Sequence, residues 1–309
     1  MSLHIPSSLL LLSSLPPSTY IQFYFGLLAS GVLGLQLVPS LQDALLSYGP
    51  RNTSGPSSAQ NPIAFLLRRT GLLVRVPHAW FSHFYIALLT FQLFWGAQYI
   101  THGRVLSAIA SREVENGGRA GMGLEQVVLA WGMLTVQGAR RLYECWVVMR
   151  PSASQMLGVH WVLSVLVYLA MSTAVWIEGS VSILDANPSE AGAAISTPRT
   201  AAAIGLFLAA SIQQHQAHKH LASLRKYTLP HEGLFHYIVC PHYTWECLIY
   251  VALAGASAPP GHLFNTTLLS GLFFVVANLG VTAKNTKVWY TERFGAGRVP
   301  RWRMIPFLF

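Results

Sequence analysis

Residues 263–283 read LFNTTLLSGLFFVVANLGVTA, 21 positions without a charged side chain. A helix needs roughly 20 such residues to cross a ~30 Å hydrocarbon core. The run lacks the strict alternation of a membrane β-strand, so a helix is the way its backbone can be satisfied in lipid. Working outward, residues 20–38, 79–100 and 159–177 are uncharged runs of the same kind. Three further runs are less regular. Residues 122–148 are apolar but carry Glu125, Arg140, Arg141 and Glu144; 201–212 is short and open to extension; 242–258 contains Glu246. Together they lead to the expectation of an all-α integral membrane protein with about seven transmembrane helices.

Composition points the same way. Of the 309 residues 52% are hydrophobic and only 10% charged, against about 25% charged in a soluble domain. The net charge of +9 would suggest nucleic acid in a soluble protein; here basic flanks of membrane helices explain it, and no nucleic-acid partner is expected. With the N-terminus placed in the lumen, the cytosolic segments hold 14 Lys/Arg and the lumenal ones 4. That asymmetry puts the C-terminus in the cytosol.

Cys145, Cys240 and Cys247, odd in number and irregularly spaced, give neither a disulfide framework nor a zinc site. The start, MSLHIPSSLLLLSSLPP, has no Lys or Arg before its leucines, so the first span reads as an uncleaved anchor. The sequons at Asn52 (cytosolic side) and Asn265 (lumenal, at the membrane edge) read as chance matches. The chain shows no internal repeat and no loop the size of a soluble domain. Residues 1–70 are expected to form a first helix and a basic loop, and 71–309 the main membrane domain.

Charges at bilayer depth are costly and call for a partner or a cavity. In GARRLYECWVV, Arg140 and Glu144 stand i,i+4 and can pair on one helix face. Two readings are open here: a structural ion pair at the helix's cytosolic end, or the lining of a cavity entered from the cytosol by Arg140, Arg141 and Glu144. In SIQQHQAHKHLASLRK (211–226), Gln214, His218, Leu221 and Arg225 recur at helical spacing. Such a cationic face suits a phosphate-bearing ligand or anionic headgroups. His215, His218 and His220 form one irregular cluster, unlike the repeated histidine boxes of membrane di-iron enzymes, and no metal is expected. Pro241 should break the chain, after which His242 and Glu246 share a helix face. No GxGxxG follows a strand, so any dinucleotide site is not of the Rossmann kind.

Several of these segments also resemble a known family. The final PFLF (306–309), the WY of TKVWYTERF (286–294) and G-x-F-x-Y-(5)-Y-(2)-E from Gly233 to Glu246 resemble the C-terminal part of steroid 5α-reductases. VPHAWFSHFY (76–85), RRLYEC (140–145), CPHY (240–243) and the QH-x-x-H-x-x-L-x-x-LRK run (214–226) are similar to the polyprenol (polyprenal) reductase branch of that family. The resemblance covers about residues 75–309. It implies seven membrane helices, with NADPH held by the C-terminal half (151–309) near the cytosolic face.

Position by position, it implies cofactor contacts at Arg150, Gln214, His218, Arg225, His242, Glu246 and Tyr290. The Gln-Glu pair that polarises the carbonyl in steroid enzymes is not preserved, since Ser82-His83-Phe84 occupies that region. Thr286 stands where steroid reductases have a histidine. The implied reaction is reduction of the α-isoprene double bond of a long-chain polyprenoid in the endoplasmic reticulum membrane, feeding dolichol synthesis for protein N-glycosylation. An aldehyde substrate is favoured, because conjugation to a carbonyl makes the β-carbon electrophilic. His83, then Tyr85, are the candidates for polarising that carbonyl. Trp80 and Phe84, on the aromatic-rich stretch, are candidates for lining the prenyl groove. The competing readings are another enone-lipid reductase, a non-catalytic lipid-binding or transport protein, and an isoprenylcysteine-type methyltransferase.

Overall fold

The computed structural model describes residues 14–38, 74–118, 121–150, 154–185, 197–225 and 227–309. The expected basic loop over 39–73, the leucine run before residue 14, and Asn52 lie outside them. The described chain is helical apart from one short antiparallel pair of strands. In order, the elements are α1 (Pro17–Gly34), β1 (Arg75–Pro77), α2 (Ser82–Ile100), α3 (Arg104–Glu115), α4 (Leu124–Tyr143), β2 (Gln155–Leu157), α5 (Gly158–Ile177), α6 (Ser180–Leu184), α7 (Pro198–Ser223), α8 (Pro241–Ala256) and α9 (Thr266–Phe294). Strand β1 pairs with β2 with Val76 opposite Met156, which sets the starts of α2 and α5 side by side.

Local chemistry explains the helix starts. Pro17, Pro198 and Pro241 each stand at the first turn, where a missing N–H costs nothing and φ is already helical. Thr197 caps α7 by accepting from the Thr200 N–H at 3.2 Å. Asn265 caps α9 by accepting from the Leu268 N–H at 2.9 Å. Asn265 is fully buried and its Nδ2 donates to the Ser257 carbonyl at 3.4 Å. The second sequon is therefore a helix cap.

Among the described residues, three helical segments are long and apolar enough to cross a membrane: Pro17–Leu37, Gly158–Ile177 and Thr266–Phe294. The chain is thus a multi-pass membrane protein by this criterion, and the expectation of about seven spans is corrected to three. The other four candidates are helical but fall short for identifiable reasons. Helix α8 has only 16 residues. Helix α4 includes Glu125, Arg140 and Arg141, and α7 ends in the polar run SIQQHQAHKHLAS. In α2, the apolar positions are diluted by Ser82, His83, Gln92 and Gln98.

The three spanning helices meet at Gly271. A Cβ there would lie 2.5 Å from Met171 Cε on α5 and 3.4 Å from the Phe25 ring on α1, so glycine allows the close approach and a larger residue would make Met171 shift. Gln22 on α1 donates to Thr267 at the start of α9 at 2.9 Å, and Lys284 on α9 donates to Gln36, just after α1, at 3.1 Å. The Thr267 N–H also donates to Glu178, just past the end of α5, at 2.8 Å. Helices α1 and α9 therefore run parallel, and α5 runs against them.

A buried amide ties α2 to α4 and α5. Gln92, fully buried, donates to the Trp131 carbonyl at 3.0 Å and accepts from Ser172 Oγ at 2.6 Å. The core around it is Leu88, Leu134, Met171, Trp176, Ile249 and Leu253, all nearly inaccessible.

Candidate active site

At the end of the bundle where α4 and α7 finish and α2, α5 and α8 begin, polar side chains from four helices converge. Their hub is Glu144, which has no accessible side-chain surface. It opens a five-residue π-turn, Glu144–Val148, that extends α4. Such turns cost regular hydrogen bonding and concentrate at functional positions. Arg140 pairs with Oε1 of Glu144 and Arg141 with Oε2. His215 and His218, one helical turn apart on α7, place Nδ1 at 2.8 Å from Oε1 and Oε2 respectively.

Arg141 is the link to α2. Its Nε donates to the Tyr85 hydroxyl at 3.1 Å, and its guanidinium lies 5.1 Å from the Tyr85 ring centroid. Tyr168 on α5 packs beside Tyr85, ring centroids 5.6 Å apart. Arg141 Nη1 reaches His218 Nδ1 at 2.8 Å. That single ring nitrogen can accept from Arg141 or donate to Glu144, one at a time. Burial and then the Arg141 charge push the His218 pKa down to about 4, outweighing its hydrogen bond to Glu144. His218 is therefore neutral at pH 7.

Glu246 on α8 forms the other half. Its Oε2 accepts from Gln137 Nε2 at 3.2 Å and from Gln214 Nε2. Gln214 also donates to the His242 carbonyl at 3.2 Å, and its Oε1 accepts from Arg140. Two arginines face two carboxylates, so with His218 neutral the charges balance. Charge balance and hydrogen bonds to most of its polar atoms make such a buried cluster tolerable, although Arg140 Nε has no partner among the described residues.

The structure thus brings together seven residues expected from sequence: Tyr85, Arg141, Glu144, Gln214, His218, His242 and Glu246. His242 joins through ring contact with His218, centroids 5.6 Å apart. The rest lie elsewhere. His83, two residues from Tyr85 and so on the opposite side of α2, packs between Trp80 and Trp161 with centroids at 5.3 and 6.1 Å. Phe84 is buried against Tyr168. Arg150 is exposed beyond the π-turn. Arg225 is also exposed, because α7 ends at Ser223 before the spacing reaches it. Tyr290 packs with Val239, Cys240, Ala283 and Met304 under the C-terminal segment. Among the described residues, no group of three or more His, Cys, Asp or Glu has a metal-holding arrangement.

Arg140, expected with Arg141 and Glu144 to line a cavity, is part of the site, and Gln137, His215 and Tyr168, which complete it, were not among the expected site residues. Gln137 carried a signal: it stands three and four residues before the two arginines and so shares their helix face.

Fold and site define a class: a multi-pass helical membrane protein with a buried, charge-balanced polar centre at one end of its bundle. The model of the family described as 3-oxo-5-alpha-steroid 4-dehydrogenase matches residues 156–309. Polyprenal reductase of Saccharomyces cerevisiae is 28% identical over 90% of this chain and 91% of its own length. That of Drosophila melanogaster is 27% identical over 76% of this chain and 77% of its own. A polyprenal reductase of Xenopus tropicalis is 31% identical over a shorter stretch, 34% of this chain and 36% of its own. The chain belongs to this family of membrane oxidoreductases, on its polyprenal reductase branch.

Proposed function

We propose that the protein reduces the α-isoprene double bond of polyprenal with NADPH, giving the saturated aldehyde that leads to dolichol. The observation that carries this reading is the similarity to polyprenal reductases, over 90% of this chain for yeast and 76% for fly. The polar centre supplies suitable chemistry. Glu246 offers Oε1, which accepts no hydrogen bond from the described residues, to the carboxamide N–H of a nicotinamide. Arg150 and Arg225, exposed and near the same end, suit its phosphates. The residues present therefore fit the cofactor.

A bound NADPH would supply hydride to the β-carbon of the enal. The protein's task is to stabilise the enolate oxygen that develops and to deliver a proton to the α-carbon. Tyr85 is better placed than His83 for the first role. Its oxygen already accepts from Arg141, leaving its own proton to donate to a carbonyl. Arg141 in turn is held by Glu144. The Trp80, His83 and Trp161 face is then a candidate wall for the prenyl chain.

With Lys284, Arg298, Arg301 and Arg303 at the site end, the positive-inside rule turns that end to the cytosol and the N-terminus of α1 to the lumen. The endoplasmic reticulum is the compartment this reading implies. The test is turnover by the purified protein in detergent. NADPH-dependent conversion of polyprenal to dolichal is expected; turnover of a steroid enone without polyprenal turnover would overturn the substrate, and failure to bind NADPH would overturn the cofactor.

A further inference from the structure

We propose that the C-terminal segment, residues 287–309, docks on the anionic headgroups of the leaflet it emerges beside, with Phe307 and Leu308 as an apolar wedge. The inference is independent of the reaction.

Position comes first. The Lys284–Gln36 contact sets Lys284 level with the end of α1, and α9 runs on past that level to Phe294. Helix α9 has 29 residues, about 43 Å at 1.5 Å per residue, more than a ~30 Å core needs. Its last turns therefore stand in the headgroup zone. The chain then turns back at Gly295, whose φ of +85° suits glycine. It is pinned to the start of α8: the Val239 N–H donates to the Trp302 carbonyl at 2.8 Å and the Cys240 N–H to that of Arg303 at 3.0 Å. Thr244 Oγ1 donates to the Met304 carbonyl at 2.5 Å. The segment is thus fixed at the membrane surface, one turn from His242 and Glu246.

Charge comes second. Residues 287–309 contain Lys287, Arg293, Arg298, Arg301 and Arg303 against a single acid, Glu292. Among the described residues, none of the five makes an ion pair with a carboxylate. Three are stacked on rings instead: Arg293 4.5 Å from Tyr227, Arg301 4.8 Å from Trp302 and Arg303 4.7 Å from Phe309. Cations oriented on aromatic rings and unpaired with acids are suited to lipid phosphates.

The third observation is the wedge. Phe307 and Leu308 are 83% and 82% exposed, among the most exposed apolar side chains of the protein. Phe307 is held at φ +65°, a left-handed conformation unfavourable for a bulky residue. The turn is closed by the Phe309 N–H donating to the Ile305 carbonyl at 2.9 Å and by the Arg303 and Met304 N–H groups donating to the Phe309 carbonyl. Strained backbone that presents two apolar side chains outward is unfavourable in water and favourable at the boundary of headgroups and acyl chains.

Trp302, whose ring centroid is 5.7 Å from that of Phe307, is a built-in reporter. The full chain would be placed in nanodiscs of phosphatidylcholine brominated high on its acyl chains, with and without phosphatidylserine. The Trp302 signal is the difference between wild type and Trp302→Phe. Quenching should rise at least twofold with phosphatidylserine. It should fall back to the phosphatidylcholine level in Arg298→Gln/Arg301→Gln, and be lost in Phe307→Ser/Leu308→Ser. Quenching that is absent, or indifferent to phosphatidylserine and to the arginine pair, overturns the proposal. Should Trp302→Phe fail to fold, a nitroxide on Leu308→Cys, with the three native cysteines replaced by alanine, reads the same contact. Collision with oxygen should exceed collision with a nickel chelate in phosphatidylserine discs, and the reverse order overturns it.

Discussion

Arg141 Nε donates to the Tyr85 hydroxyl at 3.1 Å while its Nη1 contacts both Glu144 and His218. One guanidinium therefore connects α2 to the ionic hub on α4 and α7. It fixes the Tyr85 oxygen as an acceptor and leaves the phenolic proton free for a ligand. His83 has no such connection; its neighbours are two indoles.

Tyr85→Phe should therefore lower the turnover of polyprenal by about 10²–10³-fold, the range for losing one positioned donor or acid. NADPH affinity should stay within about twofold of wild type, since the change removes one hydroxyl. His83→Gln should keep kcat within about fivefold, because a residue outside the polar centre contributes no transition-state interaction. Steady-state kinetics on the two variants decide between them, and a larger loss in His83→Gln would reverse the assignment.

Glu144 answers Arg140 and Arg141 together, with no accessible surface of its own. Glu144→Ala would remove the carboxylate that both guanidiniums pair with directly, a change that costs roughly 3–5 kcal/mol when a buried pair is broken. The variant should melt well below wild type in the same detergent. Adding Arg140→Met should recover part of the loss, because it removes one of the stranded charges. A Glu144→Ala protein with unchanged melting would mean that water already solvates the cluster.

His218 is neutral because burial and Arg141 hold its pKa down to about 4. An unfolded histidine titrates near 6.5. Between those values the unfolded chain takes up a proton that the folded one refuses, so stability falls as pH drops from 6.5 to 4 and is restored above 6.5. The linked loss is on the order of 3 kcal/mol across that window. Melting curves at pH 7 and pH 5 should show the drop in wild type and a shallower one in His218→Gln. Equal drops would place the acid sensitivity in another group.

What was legible in the sequence follows from which signals are local. The helix periods, Pro241 as a helix start and the Arg140–Glu144 spacing depend on neighbouring residues, and all three appear in the structure. The membrane count was not legible. Helices α4, α7 and α8 read as spans by their apolar stretches, but they carry polar ends or are short, and they pack among other helices. Arg225 continued a spacing that the chain abandons at Ser223. The described donors to Glu246 are the side-chain amides of Gln137 and Gln214. Amides that come from α4 and α7 leave no pattern in the local sequence of α8.

That pair of amides gives the last prediction. Both hydrogen bonds fall on Oε2 of Glu246, so Oε1 is the atom offered to a ligand. Glu246→Gln keeps the shape of the side chain but replaces one oxygen with an N–H₂ group. Gln137 and Gln214 are fixed as donors toward Oε2, so the new amide must keep its oxygen there and turn its nitrogen outward. It then presents a donor where a carboxamide N–H needs an acceptor. NADPH binding should weaken about tenfold or more, the usual scale of a lost hydrogen bond to a charged group. Polyprenal KM at saturating NADPH should change little. Titration of NADPH fluorescence on the purified protein measures the first and steady-state assays the second; an unchanged NADPH Kd would remove Glu246 from the cofactor site.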